Sequence, residues 1–420
     1  MDPFAQTPGR MNDTFFDWPR LYAQPYDKHS VDPYTRTRII LMNGTEFEAN
    51  WFSHQFSRHC GDNELRRQLA RIRRGEQQQQ KLISMLKPAD ETILEHTIGY
   101  EQLAVDLTAA LAQMVGDEHV KRALDFALLE DFDHLYRYAD LLDMETNVKA
   151  EDIVGRYTEI MPGRPTIAHH RHPYDSIKKP IDRSADPVTK LAVGIITAAE
   201  QQTMNYYMNV CGLYPTELGR KLYQEIGMVE EQHVSQYGSL MDVHESWLER
   251  LLMHQYTECY LYWSCVQTET CPAIRGIWQQ LFEQEITHLH IAARLLGEYE
   301  RKDWREVIPR PEFPAPLTLK ENIAYVRGVL QSTVCDTAVR ESWENVSALK
   351  PDFEFFQYQA IVNKDVAAVP SHMVIDRYIA QNGQDYRWET EENPIPELRD
   401  RRHDDTNTGR KPSPVRSGAR

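Results

Sequence analysis

Three stretches of the chain repeat one arrangement of acidic and histidine side chains. In each, a glutamate lies on an apolar, helix-like segment, and the next segment supplies a carboxylate and a histidine three residues apart. Residues at i and i+3 share a helix face, so that carboxylate and that histidine can contact one metal ion. The three sets are Glu101 with Asp131 and His134, Glu200 with Glu230 and His233, and Glu258 with Glu285 and His288.

The acidic residues of each set are level along a predicted helical hairpin. The break at Gly116-Asp117 lies midway between Glu101 and Asp131, so a helix that rises from the first residue and one that returns to the second bring them side by side. Glu200 and Glu230 are likewise separated by a central break that contains Gly and Pro. The spacing therefore predicts that facing helices present these side chains to each other.

The neighbours of these residues indicate that they point into a core. Around Glu101 and Glu200, apolar residues recur at helical spacing, and few basic residues share those faces. An unpaired buried carboxylate costs several kcal/mol or changes its pKa. The alternative interpretation is purely structural: each histidine would be a hydrogen-bonded core residue, and each glutamate would pair with Arg or Lys. The repetition of the pattern, with its acidic residues at matching heights on facing helices, favours a metal site.

This pattern resembles the ferritin-like di-iron carboxylate superfamily, in which two helices each give a glutamate and two each give Glu-x-x-His. The resemblance covers about residues 88–300. It implies an all-α fold: an antiparallel four-helix bundle with a long crossover, extended by an additional helical hairpin and flanking helices. It also implies two iron ions, or manganese, held by Glu101, Asp131, His134, Glu200, Glu230 and His233. Asp131 departs from the family's glutamate, and Glu130 is a possible substitute.

The connections between hairpins indicate which two of them form the dinuclear site. A proline-rich stretch at 144–186 suits the long crossover of such bundles and separates the first two hairpins. Asp242-x-x-Glu245 reads as a capping box that starts the next helix. Glu258 would then be offset from His233 by roughly 12 Å along the axis. We expect the first two hairpins to form the site, and pairing of the second with the third is the alternative.

The third set and three tyrosines have more than one interpretation. His254, one turn before Glu258, extends the third set with Glu285 and His288. These four residues could form a second metal site, join the first as further ligands, or make a buried polar network. Three tyrosines lie one turn from predicted ligands and could be hydrogen-bond partners, radical relays or simple packing residues: Tyr138, Tyr207 and Tyr237.

The chain is predicted to form one main helical domain with extensions at both ends. The segments are an aromatic N-terminal arm at 1–44, a ferritin-like helical domain at 45–345, a C-terminal extension packed on the body at 346–398, and a disordered tail at 399–420. The core hairpins of the domain are expected at about 88–143, 186–241 and 243–300. Further helices are expected at 45–59, 63–86 and about 319–344, and a short β-hairpin at 38–48 around Asn43-Gly44.

Composition excludes several classes of function. A net charge of −16 argues against nucleic acid as a partner, and the absence of a long apolar run argues against a membrane span. Six cysteines without C-x-x-C are typical of a reducing compartment, so we expect a cytoplasmic protein. They also leave no four-cysteine iron site, so a reductant must come from outside. The cluster at 169–172, rich in His, is expected to be a solvated loop, with a metal contact as the alternative.

These observations favour a metal-dependent redox enzyme. The leading hypothesis is a dinuclear iron oxidase or oxygenase that activates O₂ for an organic substrate. Its partners would be a small-molecule substrate, O₂ or peroxide, and an external reductant, and a homodimer with a second copy of the chain stays open. One alternative is a ferroxidase, a manganese catalase-like protein or a peroxide scavenger. The other is a metal-free helical interaction protein.

Overall fold

The chain folds mostly into helices. The computed structural model describes residues 1–384, 393 and 395–398, so the predicted tail at 399–420 lies outside the described residues. The helices are α1 Pro33–His59, α2 Asn63–Ser84, α3 Ile93–Met114, α4 Glu118–Thr146, α5 Ala150–Val154, α6 Pro173–Ser176, α7 Pro187–Leu213, α8 Glu217–Ser239, α9 Trp247–Thr268, α10 Pro272–Glu300, α11 Ile323–Thr333, α12 Glu354–Val362 and α13 Pro370–Asn382. Strands β1 Asp336–Val339 and β2 Ser342–Asn345 pair antiparallel.

The eight long helices form four consecutive hairpins with short connections: α1–α2, α3–α4, α7–α8 and α9–α10. Local capping fixes where they begin. The side chain of Thr92 accepts a hydrogen bond from the backbone of Glu95, whose side chain accepts one from Thr92 in return, and this capping box starts α3. Asp117 caps α4 through His119 and Val120, at the break that the sequence predicts.

The hairpins assemble into two groups of four helices. In the first helix group, α3–α4 packs against α7–α8; in the second helix group, α1–α2 packs against α9–α10. Helix α1 lies against α3 and α7 and so joins the two groups. The third predicted hairpin, α9–α10, therefore pairs with α1–α2, not with the second hairpin. One continuous apolar core runs through both groups.

Three local predictions are wrong. Residues 38–48 are not a β-hairpin, because α1 continues through them with Ile40 and Leu41 fully buried. The helix predicted at about 319–344 ends at Thr333, after which β1 and β2 follow. Helix α9 begins at Trp247 because its capping box is Ser246 with Glu249, one turn later than the predicted one.

The extensions lie against the body. Before α1, Phe4 stacks on Trp304 with ring centroids 3.7 Å apart. Near the other end, α13 packs against both α4 and α8 of the first helix group. No helix among the described residues is both long enough and apolar enough to cross a membrane.

The crossover between α4 and α7 approaches α4 closely at Gly163. A Cβ on Gly163 would lie 2.6 Å from the backbone oxygen of Leu129 and 2.9 Å from the Cβ of Asp133. The Gly163 amide also donates to Asp133 Oδ1 at 3.0 Å. The crossover thus covers the turn of α4 that carries Asp131, and only glycine fits there.

We predict that Gly163→Ala destabilises the protein by about 1–3 kcal/mol, because a backbone atom cannot move aside as a side chain can. Gly116→Ala, in a connection with open space around the glycine, is the matched control and should change stability little. Denaturant unfolding of both variants measures the difference. Equal stabilities would show that the crossover does not contact α4 in this way.

Candidate metal centre

The first helix group brings the six predicted ligands together from four helices. Each is at least 99% buried, and they are distributed as Glu101 on α3, Asp131 and His134 on α4, Glu200 on α7, and Glu230 and His233 on α8. Candidate ligand atoms of Asp131, Glu200, Glu230 and His233 all lie within 4.8 Å of one another. The same holds for those of Glu101, His134 and Glu230. Two ligand groups therefore exist, and Glu230 belongs to both.

Glu230 lies between the two histidines. His134 Nδ1 is 3.0 Å from Glu230 Oε1, and His233 Nδ1 is 3.2 Å from Glu230 Oε2. Each oxygen of this carboxylate therefore faces a different ligand group. His233 Nδ1 is also 3.1 Å from Asp131 Oδ1 and 3.8 Å from Glu200 Oε2, so the shorter Asp131 side chain does reach the centre.

Several buried polar atoms of the centre have no hydrogen-bond partner among the described residues. They are Glu101 Oε2, Asp131 Oδ2, Glu200 Oε1 and His134 Nε2. Buried polar atoms are rarely left unsatisfied, because desolvation costs about 1–3 kcal/mol or more for each. Carboxylate oxygens and imidazole nitrogens that converge in this way fit divalent iron or manganese.

The electrostatics of the centre point in the same direction. Burial, reinforced by Glu230 and Asp131, raises the pKa of Glu101 well above its usual range. Burial and the Asp131 charge do the same for the pKa of Glu200. Burial also opposes ionisation of Glu230, but hydrogen bonds with His134 and His233 outweigh it and lower its pKa. Without a cation, the centre must retain protons; a divalent cation would replace them.

Glu130 lies behind His233, away from the other ligands. Its Oε2 is 2.8 Å from His233 Nε2 and 3.6 Å from the guanidinium of Arg171. Burial raises the pKa of Glu130, but the Arg171 charge more than compensates and leaves it lowered. Glu130 is therefore placed to orient His233, and it does not take the position of Asp131.

The histidine-rich part of the crossover is not a solvated loop. Arg171 is fully buried, stacks over Phe126 at 4.8 Å and hydrogen-bonds Gln236. His169 is 3% exposed, and its ring meets that of His134 edge-on, with centroids 5.4 Å apart. The prediction fails because the buried charge of Glu130 needs a cation, and the crossover supplies it. One arginine among three histidines gives no periodic signal of burial.

The three candidate tyrosines are all fully buried near the centre. Tyr207 donates a hydrogen bond to Glu101 Oε1 at 2.5 Å. Burial, together with Glu101, raises the Tyr207 pKa well above its usual range, so its hydroxyl keeps the proton. Tyr138 lies 5.2 Å from Tyr207, and Tyr237 lies 6.4 Å from His233, each between ring centroids. Neither of these two hydroxyls has a hydrogen-bond partner among the described residues.

A cavity of about 570 Å³ lies between the two helix groups. Its walls are mainly apolar, and they come from α1, α7, α8 and α9. Ala198 and Gln201 of this lining flank Glu200 on α7, while Val234 follows His233 on α8. The cavity thus lies one helix wall away from the centre.

His254 lies in this cavity wall and not among the other residues of the third set. Its ring stacks on Phe52 at 4.6 Å, and its Nε2 is 3.9 Å from Glu48 Oε1. Burial lowers the His254 pKa to about 4 and raises the Glu48 pKa to about 8. Both side chains are therefore neutral at pH 7.

Comparison with known protein families, curated proteins and solved structures gives no match to this chain. Its function must therefore be inferred from the geometry of the centre and of the cavity.

We predict that Glu230→Ala removes about two metal ions per chain, because both ligand groups lose their shared member. Glu231→Ala changes the adjacent exposed residue of α8 and should leave the metal content unchanged. Metal analysis after anaerobic reconstitution with Fe(II) checks both variants. Full metal retention in Glu230→Ala would contradict the shared position of this carboxylate.

The raised pKa of Glu48 predicts a pH dependence of stability. Between about pH 4.5 and 8 the unfolded chain ionises Glu48 while the folded protein does not, so folding free energy is lost at about 1.4 kcal/mol per pH unit. Between pH 5 and pH 8, the free energy of unfolding should fall in both proteins, but the fall should be smaller in Glu48→Gln by about 2 kcal/mol or more. Denaturant unfolding at several pH values tests this, with Glu231→Gln as control. Parallel pH profiles for Glu48→Gln and the unchanged protein would rule out a buried, neutral Glu48.

Proposed function

We propose that the first helix group is a dinuclear centre of the ferritin-like di-iron carboxylate type, and that the protein is a metal-dependent oxidoreductase. The observation that carries the proposal is the membership of Glu230 in two ligand groups, with one oxygen toward each histidine. A carboxylate in this position is what a pair of neighbouring cations requires as a bridge.

The ligand groups divide the residues between two ions. Glu101 and His134 would hold one ion, and Asp131, Glu200 and His233 the other, with Glu230 common to both. Two iron ions, or manganese ions, bound in this way would supply the electrons and the Lewis acidity for reduction of O₂ or peroxide.

Residues behind the ligands fix their orientation. A proton on His233 Nε2 is donated to Glu130, which leaves Nδ1 to face the ligand group. Arg171 stabilises the charge of Glu130 within the core. On the other side, the Tyr207 hydroxyl donates a hydrogen bond to one oxygen of Glu101 and so fixes the orientation of that carboxylate.

The cavity between the helix groups supports an organic substrate over an inorganic one. A centre that only oxidises iron or removes peroxide needs no organic pocket of about 570 Å³. Its lining is rich in apolar and aromatic side chains, among them Trp51, Phe52, Val193 and Trp247. The neutral pair of Glu48 and His254 adds polar atoms without a net charge. The other charged residues of the lining are two basic and two acidic side chains, Lys190, Arg250, Asp242 and Glu245, and their charges balance. The pocket therefore suits a largely apolar molecule without net charge, of small to moderate size.

The proposal is tested by O₂ consumption of the metal-loaded, reduced protein with and without apolar organic compounds. We expect an external reductant to be required, a candidate organic compound to accelerate O₂ uptake, and an oxidised organic product to form. Glu230→Ala should abolish the activity, whereas Glu231→Ala should retain it. Turnover of Fe(II) or peroxide alone, with no organic product, would replace the proposal with a ferroxidase or peroxide-scavenging function. Failure of the protein to bind any metal would refute both.

A further inference from the structure

A second cluster of buried ionisable residues lies in the second helix group, separate from the centre described above. Its five members are at least 99% buried and come from all four helices of the group. We call it the companion cluster; it consists of Glu46 on α1, Glu76 on α2, Glu258 on α9, and Glu285 and His288 on α10.

Neutral donors satisfy one oxygen of each glutamate in the companion cluster. Gln79 donates to Glu285 Oε1 at 2.7 Å. Gln255 is 2.5 Å from Glu258 Oε2 and 3.0 Å from Glu76 Oε1. Tyr262 donates to Glu46 Oε1. No amide or phenol donor of the described residues reaches the second oxygen of any of the four glutamates, although Glu258 and Glu285 can share a proton with each other. These oxygens are Glu46 Oε2, Glu76 Oε2, Glu258 Oε1 and Glu285 Oε2.

Basic side chains do not neutralise these glutamates. Within the described part of the chain, none of the four glutamates forms an ion pair with Lys or Arg; only His288 lies that close, to Glu285. Burial raises the pKa of Glu258 well above its usual range, with Glu285 and Glu46 adding to the effect. Burial raises the pKa of Glu76 to about 7. Four buried carboxylates without a basic partner require protons or a cation.

His288 repeats the local geometry of His233. His288 Nδ1 is 3.0 Å from Glu285 Oε1, as His233 Nδ1 is 3.2 Å from Glu230 Oε2. Despite this proximity, neither ring nitrogen of His288 forms a hydrogen bond among the described residues. A Cβ at Gly75 would stand 2.9 Å from His288 Nε2, so the glycine makes room for the ring. A wholly buried imidazole thus joins the acidic cluster with an unsatisfied nitrogen.

The sequence of the second helix group also repeats that of the first. Glu46 and Gln79 are separated by the same number of positions as Glu101 and His134. Glu76 precedes Gln79 by three residues, as Asp131 precedes His134. The hairpin α1–α2 therefore has the arrangement of the other hairpins, with Gln79 in the place of histidine.

We propose that the companion cluster is a second metal site, which binds one divalent transition-metal ion of the manganese or iron class. Glu285 and His288 would supply the carboxylate and the imidazole, and Glu76 and Glu258 would turn their second oxygens toward the ion. Among the described residues, only the first centre already holds three or more candidate ligand atoms within 4.8 Å of one another, so the carboxylates of the companion cluster must move closer together on binding. One ion is expected, in contrast to the first centre, because Gln79 removes the second imidazole. The ion compensates carboxylates that the core would otherwise keep protonated.

The test measures Mn(II) bound by the full-length protein after removal and return of metal. The unchanged protein should bind about three ions per chain, Glu285→Gln about two, and Glu230→Ala about one. Glu283→Gln, which changes an exposed residue of α10, is the control and should bind as many ions as the unchanged protein. A double variant, Glu230→Ala with Glu285→Gln, should bind none.

These variants separate this inference from the proposed function. If the first centre binds no metal but the companion cluster does, Glu230→Ala leaves the number of bound Mn(II) ions unchanged and Glu285→Gln still lowers it by one. If the companion cluster is only a network of protonated glutamates, Glu285→Gln binds as many Mn(II) ions as the unchanged protein and Glu230→Ala binds none. That result overturns the inference. A second measurement does not depend on whether Glu285→Gln folds. Mn(II) should raise the unfolding temperature of Glu230→Ala, because this variant keeps the companion cluster and its ion binds only the folded state. Absence of both a bound ion and this rise also overturns the inference.

Discussion

The burial of carboxylates against one another is the constraint on which the rest of the structure depends. Glu230 meets Asp131, Glu200 and Glu101 in a space from which water is excluded, and the two histidines do not balance all of this charge. An uncompensated buried charge costs several kcal/mol, comparable with the net stability of a domain. The chain can maintain this arrangement only with bound protons or with cations.

The architecture serves this constraint at several levels. Short, capped hairpins bring side chains from facing helices level with each other, and i,i+3 spacing sets a carboxylate beside its histidine on one face. The crossover then contributes what the helices lack. It approaches α4 closely at Gly163 and buries the guanidinium of Arg171 beside Glu130, which orients His233.

The parts of the site that sequence predicts are those with a periodic signal. Hairpin breaks and the Glu-x-x-His spacing were sufficient to predict helices α3, α4, α7 and α8 and to choose the residues that the structure brings together around Glu230. The partner of α9–α10 was missed for a physical reason. Asn43-Gly44 within α1 resembles a turn, although packing against α3 and α7 keeps the segment helical, and Gln79 hides the repeated motif of α2.

The crossover was harder to predict, because irregular backbone has no period from which burial can be deduced. His169 and Arg171 have the composition of a solvated loop, yet they lie against His134 and Glu130. Sequence interpretation also overlooked Glu46 and Glu76, although both lie on regular helices. Each lacks a histidine three residues later, and only the packing of four helices reveals that both are buried with Glu258 and Glu285.

The central claim is that Glu230 bridges two cations in the first helix group. Anomalous X-ray scattering from metal-loaded crystals, recorded at the iron and manganese absorption edges, tests it most directly. The account predicts two peaks on opposite sides of the Glu230 carboxylate, one beside His134 and one beside His233. A single peak there, or metal found only elsewhere in the protein, would contradict it.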